Sequence, residues 1–195
     1  MANQVEIGNK ALNLIGMKRI TSFDDDTPQA RALNVSYDIS LDSVLSAGLF
    51  SFSIERITYA LQSDDLEFEE DGMSYLYQHP TESLRVVDFY PNNVRTKVER
   101  AGIYSDQEAL KGRVVWKVRD TSLFFPAFVE AFAMKLAADM AYNLSNDDKR
   151  ASDLMQLYES IYLPRAKSAD STQGDTPIIQ ADEWLLAKYG GSSIV

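Results

Sequence analysis

The stretch that follows Pro126 constrains the fold more than any other part of the chain. Its apolar residues recur at steps of three and four, the spacing of one face of an α-helix, and small alanines stand beside them. The stripe consists of Phe128, Ala131, Phe132, Leu136, Met140 and Leu144. Proline is favoured in the first turn of a helix, so Pro126 marks its start. We therefore predict a long helix whose apolar face other elements must cover.

Two helices are predicted before it. The first has apolar positions at Val5, Gly8, Leu12 and Ile15, and Gly16 is well placed to end it. The second begins at Thr27-Pro28, where threonine can cap the helix and proline can occupy its first turn. This second helix runs to about Ser46, and its stripe consists of Leu33, Tyr37, Leu41, Val44 and Leu45.

A fourth helix is predicted after the long one. Ser145 or Asn146 can cap it, and the acidic pair Asp147-Asp148 suits the positive end of its dipole. We expect Pro164 to kink or end this helix, because proline lacks the backbone N–H that a helix interior uses. Its predicted buried face consists of Leu154, Leu157, Tyr158, Ile161 and Tyr162.

Between the second and third helices lie runs rich in β-branched and aromatic residues, separated by turn residues. The runs are 75–77, 84–90 and 113–118. We predict a mainly α fold of the α+β class, a bundle of about four helices with a small inserted antiparallel sheet. Residues 1–167 form one domain; its helical core is 3–62 and 120–167, its β-rich insertion is 73–119, and an extended tail follows at 168–195.

That tail is rich in Ser, Gly, Asp and Thr, yet it contains an isolated apolar cluster. Such a segment cannot build its own core, so we predict that it is an arm that docks on another protein. Aromatic anchors are common at the centres of protein interfaces. The predicted contact residues are Ile178, Ile179, Trp184, Leu185 and Tyr189.

Charge and cysteine content narrow the function classes. The chain of 195 residues has 29 acidic and 19 basic residues, a net charge of −10, which disfavours a protein that holds nucleic acid by its own field. It has no cysteine, which excludes disulfides, thiolate nucleophiles and cysteine zinc sites. Residues 1–10 lack the pattern of a secretory leader, and no apolar run approaches a membrane span of about 20 residues. We expect a soluble, unprocessed chain.

Candidate chemistry is sparse. The single histidine, His79, is more typical of an exposed or hydrogen-bonded turn residue than of a catalytic one. The acidic loop that ends at Gly72 places Glu67, Glu69 and Asp71 at calcium-ligand spacing, but Gln78 stands where the loop needs a bidentate glutamate. Glu130, on the otherwise apolar third helix, is expected to be exposed or paired. We predict no metal and no cofactor.

The order of several sequence blocks resembles that of the tail tubular protein A-like phage adaptors. The blocks include Ala11–Gly16, Ile20–Phe23, Phe50–Phe52, Tyr75–Pro80 with Leu84–Val86, and Asp120–Ala131 running into Leu136–Ala141. The last is the most specific, and together they span residues 4 to 165. Leu49-Phe50 departs from the family pattern, which often has a tryptophan there, and this difference affects packing.

The resemblance implies a non-enzymatic virion protein, assembled in the host bacterial cytoplasm. It would be one subunit of a dodecameric head-to-tail connector ring that binds the portal protein and the tubular protein B-like tail nozzle. The ring continues the channel through which DNA is ejected, without sequence-specific binding, and in some phages seats the tail fibres. Two other readings remain open: a carboxylate-dependent cell-wall glycan hydrolase, and a soluble helical protein-binding module.

Overall fold

The structure is a computed structural model that describes residues 2–64, 66, 72–91 and 93–172. The chain has a mixed α+β fold, with about half of it helical. Within the described residues the helices are α1 (Gln4–Leu14), α2 (Pro28–Gly48), α3 (Pro126–Ser145), α4 (Asp148–Leu157) and α5 (Leu163–Ser171). A π turn at Tyr158–Tyr162 joins α4 to α5.

The predicted helix starts are confirmed in their local chemistry. The Thr27 side chain accepts a hydrogen bond from the backbone N–H of Ala30, and Pro28 follows it in the first turn of α2. Pro126 likewise opens α3. Gly16 follows α1 with a φ of 75°, a left-handed conformation that suits glycine. The predicted cap of α4 is wrong: the cap is Asp147, one residue beyond Asn146 and two beyond Ser145.

Helix α3 lies at the centre of the larger core, and α1, α2, α4 and α5 all pack against it. Its apolar stripe is buried except near Leu144, which is half-buried. An aromatic cluster closes one part of this core, where the start of α3 meets the segment after α2. Its members are Phe50, Phe52, Phe124, Phe125, Phe128 and Phe132.

Seven described strands form two antiparallel sheets. The strands are β1 (Ile54–Thr58), β2 (Leu61–Ser63), β3 (Tyr75–Tyr77), β4 (Ser83–Tyr90), β5 (Thr96–Glu99), β6 (Gly102–Ser105) and β7 (Lys111–Trp116). The three-stranded sheet has the order β1-β7-β4, and the four-stranded sheet has the order β2-β3-β6-β5. A second, smaller core forms between them around Tyr59, Tyr77, Ile103, Leu110 and Val114.

The predicted boundary of the β-rich insertion is therefore wrong. Residues 54–62, assigned to the helical core 3–62, contain β1 and most of β2, and the β-rich region contains two sheets instead of one. The physical reason is that β1 is held by a distant partner, with Ile54 opposite Val115 and Ile57 opposite Gly112 on β7. Its own sequence, which alternates poorly, carries little of that information.

Pro164 was predicted to kink or end the fourth helix, and the second alternative, an end at the proline, is wrong. The chain remains helical to Ser171, because the π turn absorbs one extra residue just before the proline, and Leu163 donates its N–H to the Tyr158 carbonyl. Residues 168–171 consequently belong to α5 and not to the predicted arm. The inward positions then recur at steps of four, with Leu154, Tyr158 and Ala166 buried and Tyr162, between the last two, half-buried. Leu157 and Ile161, predicted to be buried, face outward instead.

Candidate functional site

The predicted contact residues of the arm lie outside the described residues. They are Ile178, Ile179, Trp184, Leu185 and Tyr189. The place where the arm leaves the fold is defined, however. Asp170, near the end of α5, accepts hydrogen bonds from the backbone N–H of Ser51 at 2.9 Å and from its Oγ at 2.6 Å. The end of α5 therefore lies beside Ser51, just before the first strand begins.

An open groove of about 630 Å³ adjoins that point. Its lining residues are Leu49, Ser51, Ile54, Glu55, Arg56 and Arg113. Leu49 adopts a left-handed conformation with φ 54° at the end of α2, and its side chain is 37% exposed. Phe50, beside it, is fully buried in the aromatic cluster. The two neighbouring residues thus have different roles: Phe50 fills the core and Leu49 lines the groove.

Helix α2 has an exposed apolar stripe opposite its buried face. Val35 is 69% exposed and Ile39 is 70% exposed, one turn apart. Sequence reasoning missed this stripe because it sought apolar residues that share the core-facing side. The sequence does contain a feature that could have revealed it: Val35 and Ile39 are two β-branched residues four apart on the polar side of the helix.

The outer face of α4 and the π turn has a second exposed stripe. Leu157 is 40% exposed and Ile161 is 51% exposed. Both were noticed in the sequence, but as core residues. Large apolar side chains in a row on an outer helix face are candidate protein contacts.

Two arginines form ion pairs between elements that are distant in sequence. The Arg119 guanidinium contacts Asp42 at 2.7 Å and Asp38 at 3.3 Å, both on α2, and these carboxylates raise its pKa. On the three-stranded sheet, Arg113 donates from Nε to both carboxylate oxygens of Asp88, at 3.0 and 3.1 Å. That hydrogen bonding lowers the pKa of Asp88.

Glu130, the carboxylate singled out on the third helix, has two basic partners within the chain. It contacts Lys10 at 3.6 Å and Arg165 at 3.4 Å. Hydrogen bonds donated to four other carboxylates lower the pKa of Asp25, Asp88, Asp106 and Asp120. A general acid needs a raised pKa, the opposite direction. The exposed His79 ring lies 2.8 Å from the Glu99 carbonyl oxygen, a hydrogen-bonded turn histidine as predicted.

A polar network is built into the helical core. Asp139 on α3 accepts hydrogen bonds from Ser40 Oγ on α2 and from Lys135 Nζ on its own helix, each at 2.6 Å. Nearby, burial raises the pKa of Tyr158 to about 12, and the charge of Asp139 adds to the effect. The Tyr158 hydroxyl is buried and has no hydrogen-bond partner among the described residues.

Two buried tyrosines, Tyr59 and Tyr158, lead us to expect that the fold loses stability at alkaline pH. A phenol pKa raised from about 10 in the unfolded chain to about 12 at Tyr158 and Tyr59 means that the unfolded state loses its protons first. The stabilisation is complete below pH 10 and is lost as pH rises toward 12, by at most about 1.4 kcal/mol per pH unit for each tyrosine. Urea midpoints measured from pH 8 to 11.5 should show this fall.

Tyr158→Phe tests the assignment. It should flatten the alkaline slope and leave stability at pH 7 unchanged or higher, because the lost hydroxyl is unsatisfied. Tyr142→Phe is the matched control, since that ring is 54% exposed. Equal slopes for both variants and the parent would contradict the prediction.

Among the residues that the structure describes, no group of three or more His, Asp or Glu side chains is placed to hold a metal ion. The loop residues Glu67, Glu69 and Asp71 lie outside that set. No described helix is long and apolar enough to cross a membrane.

Comparison of the chain with models of known protein families gives no match, and comparison with curated protein sequences gives none either.

Proposed function

We propose that this chain is a structural virion protein, the head-to-tail adaptor subunit of a tailed phage that joins the portal to the tail nozzle. The observation that carries the proposal is the order of the sequence blocks, above all residues 120–141. In the fold this block supplies the start of α3 and the aromatic cluster around Phe128. The earlier blocks supply α1, the start of the sheets and strands β3 and β4.

The finer architecture belongs to the same proposal. The helices form a bundle around α3, and the β-rich part projects from it as a separate contact region with its own small core. In an assembled ring, one part contacts neighbouring copies and the portal, while the other is available to the nozzle or to tail fibres. An exposed apolar side chain at the β2 edge of the four-stranded sheet, Leu61 at 46% exposure, suits such a contact.

The charge of the chain suits a conduit. Twelve copies with a net charge of −10 each give a ring with a charge on the order of −100, which repels a DNA backbone. DNA then passes through without adhering, which favours ejection. This argument concerns the field of the ring and requires no contact with particular bases.

The test is assembly with the portal protein of the same phage. The purified chain, alone and mixed with portal, is followed by light scattering and negative-stain imaging. We expect a ring that caps the portal. A chain that stays monomeric and ignores the portal would overturn the proposal, and a glycan-hydrolysis assay would then test the alternative.

The proposed docking role of the carboxyl-terminal arm can be tested separately. Deleting residues 176–195 should leave the far-UV circular dichroism and urea midpoint of the subunit unchanged but abolish its binding to the portal. Deleting only 190–195 is the matched control, because it keeps Trp184, Leu185 and Tyr189. Portal assembly that survives the longer deletion would remove the arm from the proposal.

A further inference from the structure

The two exposed apolar stripes are parts of longer rows that have charged ends. On α2 the outward row reads Arg31, Val35, Ile39 and Asp42, at steps of four, four and three. The side chain of Arg31 is 63% exposed, and that of Asp42 is 26% exposed. A basic group thus stands at the amino-terminal end of the row and an acidic group at the carboxyl-terminal end.

The row on the other outer face has the reverse polarity. From α4 through the π turn into α5 it reads Asp153, Leu157, Ile161 and Arg165, at steps of four. Asp153 is exposed, and the side chain of Arg165 is 67% exposed. In a regular α-helix, residues spaced four apart drift slowly around the axis, because one turn has 3.6 residues. The π turn has a wider repeat that offsets this drift, so the four residues stay on one face.

We propose that the α2 row of one copy binds the α4 row of a second copy. With the two helices parallel, Arg31 faces Asp153, Val35 and Ile39 face Leu157 and Ile161, and Asp42 faces Arg165. Apolar side chains then meet in the middle. Three of the end charges already have a partner within their own chain, namely Asp26 for Arg31, Arg119 for Asp42 and Glu130 for Arg165, so the contact adds opposite charges to existing surface ion pairs. The inference rests on the proposed function, since it assigns the contact between neighbours in the ring.

A second copy is the occupant because the chain itself carries both complementary halves. The two rows lie on different helices that each pack on α3 through their opposite faces. A contact between unlike surfaces is head-to-tail, so each copy retains one free row, and association continues until the rotation closes a ring. Pairing α2 with α2 about a twofold axis would also match charges, but it would stop at two copies and leave the α4 row exposed.

The chain has no cysteine, so single cysteines can report on the contact. Ile39→Cys and Ile161→Cys, one carrying a mass tag, are mixed at high protein concentration and treated with a short thiol cross-linker. We expect a cross-linked heterodimer in the mixture that exceeds the yield of either variant alone by at least about tenfold. Val98→Cys, similarly exposed on β5, is the control for random collision.

Three results would overturn the inference. A yield no higher than that of the Val98→Cys control would show that the rows do not meet. Efficient cross-linking of Ile39→Cys to itself would assign α2 to a twofold contact. An internal cross-link between Ile39→Cys and Trp184→Cys in one chain would assign the row to the chain's own carboxyl-terminal residues.

Aspartate substitutions provide a second readout that uses the portal complex. Ile39→Asp and Ile161→Asp should each abolish rings, yet a mixture of the two should form heterodimers, because each variant keeps one intact row. Rings of the parent chain on the portal that neither substitution affects would remove this inference and leave the proposed function standing. Heterodimers that form while the parent chain makes no ring on the portal would support this inference and overturn the proposed function.

Discussion

Replacing Phe128 with alanine should lower the free energy of unfolding by about 3 to 5 kcal/mol, enough to leave much of a marginally stable chain unfolded. The Phe128 side chain is fully buried. Its ring centroid lies 4.9 Å from those of Phe50 and Phe52 and 4.8 Å from that of Phe124. The substitution removes an apolar ring and leaves a cavity among the rings of Phe50, Phe52 and Phe124, which pack against one another and leave little room for relaxation.

Urea denaturation followed by circular dichroism measures this loss. Leu123→Ala is the matched control, since Leu123 is close in sequence but 50% exposed. It should change stability by less than about 0.5 kcal/mol. A loss below about 1 kcal/mol at Phe128 would contradict the packing of this cluster.

Replacing Asp139 with alanine should lower the free energy of unfolding by about 3 kcal/mol. The side chain of Lys135 is only 14% exposed, and without Asp139 its ammonium group is left largely buried and without that counter-charge. Ser40, on α2, loses its acceptor at the same time. Ser40→Ala, which leaves the ion pair in place, should cost only about 1 kcal/mol.

The double variant Lys135→Met/Asp139→Leu makes the prediction sharper. Replacing both members of a buried pair by apolar residues of similar size is often nearly neutral, because the cost of desolvating the charges disappears. We expect it to recover most of the stability that Asp139→Ala loses. If the double variant is as unstable as the single one, the loss comes from packing around α3 and not from an unpaired charge.

Helix positions followed from the sequence where local chemistry defines them. Thr27-Pro28 and Pro126 start helices through caps and first-turn geometry that need no distant partner, and Gly16 ends α1 for a similar local reason. The stripe of α3 was recognisable because a central helix is apolar over a wide arc. The mixed α+β class and the presence of antiparallel strands followed as well.

Strands that depend on pairing did not follow. Lys97-Val98-Glu99 in β5 looks like a charged loop, and it becomes a strand only because Val98 pairs with Ile103 on β6. The buried face of α4 was predicted wrongly for a related reason. A regular helical period places Leu157 and Ile161 on the same face as Leu154, whereas the π turn shifts which residues face the core. A one-residue insertion of this kind has no clear sequence signature.

The candidate surfaces show the same division. The arm residues were selected because apolar side chains stood out in a polar segment, and they remain a prediction. The α2 row could not be selected this way, since Val35 and Ile39 look unremarkable until the buried face of α2 is fixed by its contact with α3. Exposure is a property of packing, which composition does not reveal.

The antiparallel pairing of β1 with β7 has a kinetic consequence. Apart from Val115, the buried residues of the larger core lie before 54 or after 116, so its formation must close a loop of about sixty residues, at an entropic cost of about 4 kcal/mol. Because Ile54 lies opposite Val115, a β-rich region that folds first already brings the two ends of that loop together. The helices on the two sides of the β-rich region can then pack together as though a short connection joined them. This lowers the effective contact order of the step that forms the larger core.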